Sequence, residues 1–410
     1  MSAVTTATAM NGSAAPPRSP VIGWLAVISV MMGIFCIVTT EILPIGLLTP
    51  IGDTFDISDG TAGLMMTVPG LLAAVAAPTV TVATRRIDRR FMLCVLMLVL
   101  ALADLLAVVA PAYWVMMISR VLVGLVIGAF WSIGVGLAPR LVLEEQAGRA
   151  TAVIFSAVPL GSVLGVPAGT FVGNLAGWRA AFVALGILTL LVFIALVVSA
   201  PPLPPQSVTR LTVLRTMLGT TQVRVGLAVT FLIVLAHFGT YTYVTPFLEN
   251  VTHAGPGLIT SCLLTFGAAG IVGNFIAGAL VRRALPATFT TAAGLLAAAT
   301  LLLPVLGTEK PGAMVLLAVW GLAYGAVPVC SQTWFLLSAP HAPEAASVLF
   351  TSSFQATISV GALAGGAVVD STSTSTVMVL GGLAAIVMMA VARGSQRACG
   401  SKDVRRSAIR

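Results

Sequence analysis

Glu41, Asp104 and Arg120 are three ionisable residues set well inside long apolar stretches of the sequence. An ion is expensive to hold in hydrocarbon, so each one kept there has a partner or a task. At about 1.5 Å of rise per residue, Glu41 and Asp104 lie roughly 10 Å from the ends of their stretches and Arg120 about 12 Å from the end of its own, so the three share a depth. If their faces converge, an acid meets a permanent cation in a dry cavity, where a carboxylate exchanges a proton as a ligand binds or leaves. That chemistry is proton coupling, with Glu41 the first choice of carboxylate and Arg120 tuning its proton affinity. The plainer alternative is that Arg120 neutralises an acid to hold helices together and that Asp104 snorkels outward.

A second group of residues suits ligand binding. His237, followed by Phe238, Tyr241 and Tyr243, supplies a titratable group and aromatic faces. Gln332, Trp334, Asn274 and Gln355 offer hydrogen bonds to a ligand or to a neighbouring helix. His237 and Gln332 are expected to line the side of the cavity opposite Glu41. Gly161, Gly165, Gly169 and Gly173 recur at every fourth residue and make a flat face for close helix approach. Pro159 and Pro167, in the same stretch, free backbone groups and permit bending. Gly161, Gly165, Pro167 and Gly169 are thus the expected conformational interface, with static packing as the simpler reading.

Cys36, Cys94, Cys262, Cys330 and Cys399 stand singly, without metal-ligand spacing. No phosphate-binding loop, HExxH, GxSxG or dinucleotide fingerprint occurs, so neither a cofactor, a metal nor an enzymatic reaction is expected.

The elements that must position these residues follow from composition. Hydrophobic residues make up 58% of the chain and charged residues 8%, which excludes an ordinary soluble domain. Apolar stretches of helix-spanning length recur, too long for barrel strands and separated by short polar gaps. They predict an all-α membrane protein with twelve spans, at 22–47, 61–83, 91–110, 113–138, 150–173, 181–200, 224–247, 258–281, 287–306, 313–338, 346–369 and 375–392. The domain reading is a disordered N-terminus over 1–20, a six-helix bundle over 21–200, a linker with Pro201-Pro-Leu-Pro-Pro205 over 201–223, a second bundle over 224–392 and a basic tail over 393–410.

The formal net charge of +8 does not point to nucleic acid, because the basic residues gather at helix ends rather than on one amphipathic face. Arg85, Arg86, Arg89, Arg90, Arg140, Arg149, Arg282 and Arg283 fall on one side with the basic tail, whereas Asp53, Asp56, Asp59, Glu249 and Asp370 fall on the other. The positive-inside rule then makes both termini cytoplasmic in a cell inner membrane. The halves also echo each other. Gly124-Leu-Val-Ile-Gly-Ala-Phe returns as Gly321-Leu-Ala-Tyr-Gly-Ala-Val and Arg85-Arg86 as Arg282-Arg283, both at an offset of 197, while Gly165 and Gly169 return as Gly361 and Gly365 at 196. Matching elements with one membrane polarity imply two parallel six-helix repeats.

Arg120-Val-Leu-Val-Gly-Leu-Val-Ile-Gly128 and Gly161-Ser-Val-Leu-Gly-Val-Pro-Ala-Gly169 resemble the span-four and span-five motifs of the major facilitator superfamily, in its drug and metabolite:proton antiporter branch. Thr40-Glu-Ile-Leu-Pro-Ile-Gly-Leu-Leu-Thr-Pro50, His237-Phe-Gly-Thr-Tyr-Thr-Tyr-Val-Thr-Pro-Phe-Leu248, Gly177-Trp-Arg-Ala-Ala-Phe182 and Trp320-Gly-Leu322 are similar to segments of its purine ribonucleoside, sugar and arabinose exporters. The resemblance implies a proton role for Arg120 and rocking of two bundles at the span-five interface. One stretch departs from the family. Where an Asp-Arg pair and Gly-Arg-Arg are usual between spans two and three, this chain has Arg85-Arg-Ile-Asp-Arg-Arg90, with Arg85 at the acid position and Asp88 at the glycine position.

Together these features predict a monomeric, proton-coupled secondary transporter in the lipid bilayer that exports a small organic molecule by alternating access. Multidrug or antibiotic efflux is the alternative substrate class, and a non-transporting membrane sensor the alternative function.

Overall fold

The computed structural model of the chain describes residues 20–84, 86–134, 137, 140–204, 216–339 and 343–407, and all regular structure among them is helical. Residues 1–19 of the predicted N-terminal segment 1–20, the linker residues 205–215 and Arg85 fall outside the described residues, and Pro20 already opens the first helix. Eleven helices among those described are long and apolar enough to cross a membrane. A bent pair, Arg149–Val158 with Val163–Ala176, adds a twelfth when taken as one span. In hydrocarbon every backbone amide must be satisfied within the segment, which leaves the helix as the form these apolar runs adopt.

Span one is Pro20–Gly46, continued by the short helix Leu48–Phe55, and span two is Leu64–Ala83, led in by Asp59–Ala62. Spans three to six are Arg89–Val109, Tyr113–Gly134, Ala147–Ala176 and Trp178–Ser199. Span seven is Thr221–Tyr241, continued by Val244–Asn250, and the last three are Lys310–Ser338, Pro343–Ser371 and Thr374–Ser407. Spans eight and nine depart from the expected pair of helices with a loop. They run as Pro256–Leu306, broken only at Ala284, where φ is −148° and ψ is 51°. One non-helical residue suffices to reverse the chain, because Pro286 follows at a helix start, where its missing amide is tolerated. The twelfth helix likewise continues to Ser407, through what the sequence suggested as a tail beginning at 393.

Local signals set the ends. Asp88 caps span three by accepting from the amides of Arg90 at 2.7 Å and Phe91 at 3.4 Å. Its other oxygen accepts from the Leu203 amide at 2.8 Å, tying the loop to the segment after span six. The acid in place of the family's glycine therefore has a helix-capping task inside the first bundle. Gly177, at φ 85°, makes the turn between spans five and six in a conformation that favours glycine.

Two ends of the molecule can be distinguished. At the basic end, Arg140 Nη2 donates to the Pro204 carbonyl at 2.6 Å and Trp24 Nε1 to Gln146 Oε1 at 2.9 Å, so span one starts beside the basic loops. At the acidic end, Trp178 Nε1 donates to Thr54 Oγ1 at 2.9 Å and Asp370 of span eleven reaches Ser58 and Gly60. The first bundle has its own core, with Ile34, Met97, Val126 and Ile154 among its members, while Ile45, Met66 and Val166 join the core of the second bundle. The bundles meet along two seams. Spans two and eleven touch where Gly70 lies against Ser359 and, in the lead-in to span two, Gly60 against Gly366, and spans five and eight touch where a Cβ on Gly267 would fall 2.8 Å from Val163 Cα.

Candidate functional site

Glu41 and Gln355 meet across the two bundles. Gln355 Nε2 of span eleven donates to Glu41 Oε1 of span one at 2.8 Å, and the two residues are 9% and 6% exposed. A charged group in such a position is held by charge-assisted hydrogen bonding and by whatever else shares the space. Tyr324 of span ten also lies within electrostatic reach of Glu41. Glu41 Oε2 and Gln355 Oε1 have no hydrogen-bond partner among the described residues, yet neither is sealed from the surrounding space.

Arg120 and Asp104 belong to a different, fully enclosed network. Pro44 lacks an amide hydrogen, which frees the carbonyl four residues earlier, on Thr40. Arg120 Nη1 takes that carbonyl at 3.0 Å, while Nη2 donates to Ser119 Oγ at 3.0 Å and the guanidinium lies 5.3 Å from the centre of the Phe182 ring. Thr40 Oγ1 in turn donates to Asp104 Oδ1 at 3.4 Å. Among the described residues, Asp104 Oδ2, the nearby Thr189 hydroxyl and Arg120 Nε have no hydrogen-bond partner. Thus Arg120 is paired with span one through Thr40 and attracts Asp104 at longer range, where the expected partner was Glu41. The reason is helical geometry: adjacent residues point about 100° apart, so Thr40 faces into the first bundle while Glu41 faces the seam.

His237 sits in an aromatic cluster. Trp320 Nε1 donates to its Nδ1 at 3.1 Å, so that nitrogen carries no proton and the imidazole is neutral. Tyr324 stacks on it with centroids 3.4 Å apart and planes at 11°, and Tyr241 at 5.0 Å and Phe266 at 5.9 Å lie nearly parallel to it. Two helical pairs four residues apart, His237 with Tyr241 and Trp320 with Tyr324, build most of this cluster. Gly321 permits it, since a Cβ there would strike the backbone of Phe266.

The remaining sequence-derived residues fall elsewhere. Trp334 lies at the basic end, where its Nε1 donates to the Gln222 carbonyl at 3.1 Å, about 21 Å along span ten from Trp320. Gln332 is exposed and about 12 Å along the same helix from Tyr324, so the structure does not bring it opposite Glu41. Asn274 is half-buried where spans eight and ten cross, its amide 2.9 Å from a Cβ placed on Gly325. The glycine face of span five packs on span one of its own bundle: Gly161 against Val38, Gly165 against Thr39, Gly169 against Leu43 and Gly173 against Leu47. Toward the other bundle span five instead presents Val163, which Gly267 of span eight approaches, and Val166, which joins the core of the second bundle, with Pro167 buried beside them. Thr40, Trp320, Tyr324 and Phe266 are site residues that the sequence reading did not single out; the i, i+4 spacing of Trp320 and Tyr324 is the signal that could have found two of them.

Comparison with known proteins agrees with this architecture. Residues 24–356 match the family model of the Major Facilitator Superfamily. The chain is 31% identical over 370 residues to the purine ribonucleoside efflux pump NepI of Salmonella paratyphi B, covering 90% of this chain and 93% of that protein. It is 31% identical over 359 residues to NepI of Escherichia coli K12, covering 88% and 91%. Among solved structures, a bacterial homolog of the human lysosomal transporter Spinster, in an inward-facing and occupied conformation, superposes with a TM-score of 0.72 at 15% identity, covering 93% of this chain and 98% of that one.

Proposed function

The chain belongs to the Major Facilitator Superfamily, and from that premise we propose that it exports a purine ribonucleoside from the cell in exchange for protons. The relatives' names supply the substrate class and direction, and the seam between the bundles supplies the place. The observation that carries the reading is the 2.8 Å hydrogen bond from Gln355 to Glu41, a buried acid shared by the two bodies that must separate in alternating access. Separation of spans one and eleven breaks that bond and changes the surroundings of the carboxylate, which is what a proton-coupled exchange requires. Arg120, Asp104 and Thr40 support span one from behind and fix the backbone next to Glu41.

The basic end faces the cytoplasm in this reading, with both termini there, by the positive-inside rule. The protein works as a monomer in the lipid bilayer, since one chain contains both bundles and the seam. The test is uptake of labelled inosine into proteoliposomes under an imposed pH gradient. Gradient-driven uptake in the wild type that is lost in Glu41→Gln supports the reading; uptake insensitive to both the gradient and the substitution removes Glu41 from the coupling.

A further inference from the structure

We propose that the groove between spans three and six at the basic end holds one anionic phospholipid, its phosphate on Arg90 and one acyl chain laid along span three. The site lies away from the seam between the bundles, and no step of the proposed transport uses it.

A cavity of about 510 Å³ opens there, lined by Phe91, Cys94, Val95 and Leu98 of span three and by Phe193 and Val197 of span six. The span-three members are spaced i, i+3, i+4 and i+7, which is one face of a helix. Met92, Leu93, Leu96 and Met97, on the opposite face, are buried in the core of the first bundle. Phe91 and Leu98 keep 63% and 50% of their surface exposed, so no other helix among the described residues covers this wall. From Arg90 to Leu98 is about 12 Å along the helix, a path from the headgroup level into hydrocarbon. A tail lodged in the groove gains van der Waals contact from two helices where a flat wall gives one.

Arg90 gives the groove a polar end. Its Nη2 donates to the Val197 carbonyl at 2.6 Å, one of the last in span six and without an intrahelical partner. That bond fixes the guanidinium in the groove wall, and its remaining N–H groups suit the oxygens of a phosphate. Asp88 also lines the groove but is turned to the backbone: Oδ1 accepts from the Arg90 and Phe91 amides and Oδ2 from the Leu203 amide. Arg86 is exposed nearby in the chain, and Arg89 lies within electrostatic reach of Arg140, so this end of the bundle stays positive. An anionic headgroup therefore fits better than a zwitterionic one. A free phosphate would meet the same arginine and leave the apolar groove unfilled.

Pro202 completes the lining, and the next residue, Leu203, is the one whose amide Asp88 holds. The seated lipid thus lies over the turn by which the chain leaves span six for the segment joining the bundles.

The groove carries its own reporter. Cys94 stands half-buried in its wall, whereas Cys36, Cys262 and Cys330 are buried, and Cys399→Ser removes the remaining thiol. The experiment measures how fast N-ethylmaleimide modifies Cys94 in the detergent-purified full-length Cys399→Ser protein. It is run with phosphatidylglycerol, with phosphatidylcholine of the same chains, or with inorganic phosphate. Each rate is taken relative to the same variant without additive, so a change in thiol reactivity cancels. Phosphatidylglycerol is expected to slow the reaction at least about fivefold more than phosphatidylcholine, the worth of one arginine facing an anionic headgroup. Inorganic phosphate should have no effect. Arg90→Gln keeps a donor for the Val197 carbonyl and should bring the two lipids within about twofold of each other. Arg149→Gln removes the same charge from an exposed site beside Trp24 and should leave the preference intact. Equal protection by the two lipids, protection by neither, or a preference that survives Arg90→Gln overturns the proposal. Protection by inorganic phosphate overturns the lipid as occupant.

Discussion

The Ser58 hydroxyl donates to Asp370 Oδ2 at 2.7 Å, and the Gly60 amide donates to Oδ1 of the same carboxylate at 2.9 Å. One side chain at the end of span eleven thus clasps the start of span two, across the seam and at the acidic end. The clasp is exposed, so solvent weakens it, and its removal should change the balance between closed and open arrangements by about 1 kcal/mol. Asp370→Ala should therefore raise the population open at the acidic end roughly fivefold. Electron–electron distance measurements between labels at Asp56 and Thr372, both exposed, read that shift directly.

His237→Phe keeps most of the ring volume but removes the acceptor for Trp320 Nε1, leaving a buried indole N–H unsatisfied. The expected loss is about 1–3 kcal/mol, seen as a lower melting temperature in detergent. Retention of wild-type stability would mean the Trp320 hydrogen bond contributes nothing.

Gly321→Ala sets a methyl group against the Phe266 backbone, which cannot yield as a side chain can. Spans eight and ten must part, and a loss of about 1–3 kcal/mol is expected with loosening of the aromatic cluster. Gly278→Ala, in the same bundle and with open space around it, should be neutral or raise stability by about 0.5 kcal/mol. Near-ultraviolet circular dichroism and thermal unfolding of the pair separate the two outcomes.

Glu249 lies beyond the last turn of span seven at the acidic end. Partial burial, followed by the charges of Asp59 and Asp53, pushes its carboxyl above the usual range. The folded chain therefore holds this proton more tightly than the unfolded one, so ionised Glu249 weakens the fold at high pH and the deficit disappears as pH falls. Glu249→Gln should melt at a higher temperature than the wild type at about pH 8 and at the same temperature at about pH 4. An equal difference at both values would assign the effect to packing.

Hydropathy made the helices and the buried ions legible, because a charge inside twenty apolar residues stands out in any one sequence. It did not show which ions meet. Thr40 and Glu41 are neighbours in the chain, yet one faces the interior of the first bundle and the other the seam, and the rotation of span one that decides this is set by packing. The sequence therefore pairs Arg120 with Glu41, whereas the guanidinium lies against the Thr40 carbonyl. Depth along a helix was the second difficulty. The sequence groups Trp334 and Gln332 with His237, whereas Trp320 and Tyr324, about two to four turns nearer the acidic end, reach it. The glycine ladder of span five announced a close contact, but glycine spacing carries no label for the partner, which proved to be span one of the same bundle.

The placement of Thr40 and Glu41 on one peptide unit has a mechanical consequence. Gln355 pulls on one side of that unit and Arg120 grips the other, so the bundle that moves away tugs on a point the first bundle holds fast. How firmly Arg120 anchors the freed carbonyl sets how much of that tug reaches the Glu41 carboxylate and how much is lost in bending at Pro44. In the proton-coupled exchange proposed above, span one behaves as a lever whose stiffness is set by Pro44 and Arg120 on the far side of the Thr40–Glu41 peptide, and slippage between proton and cargo is governed there.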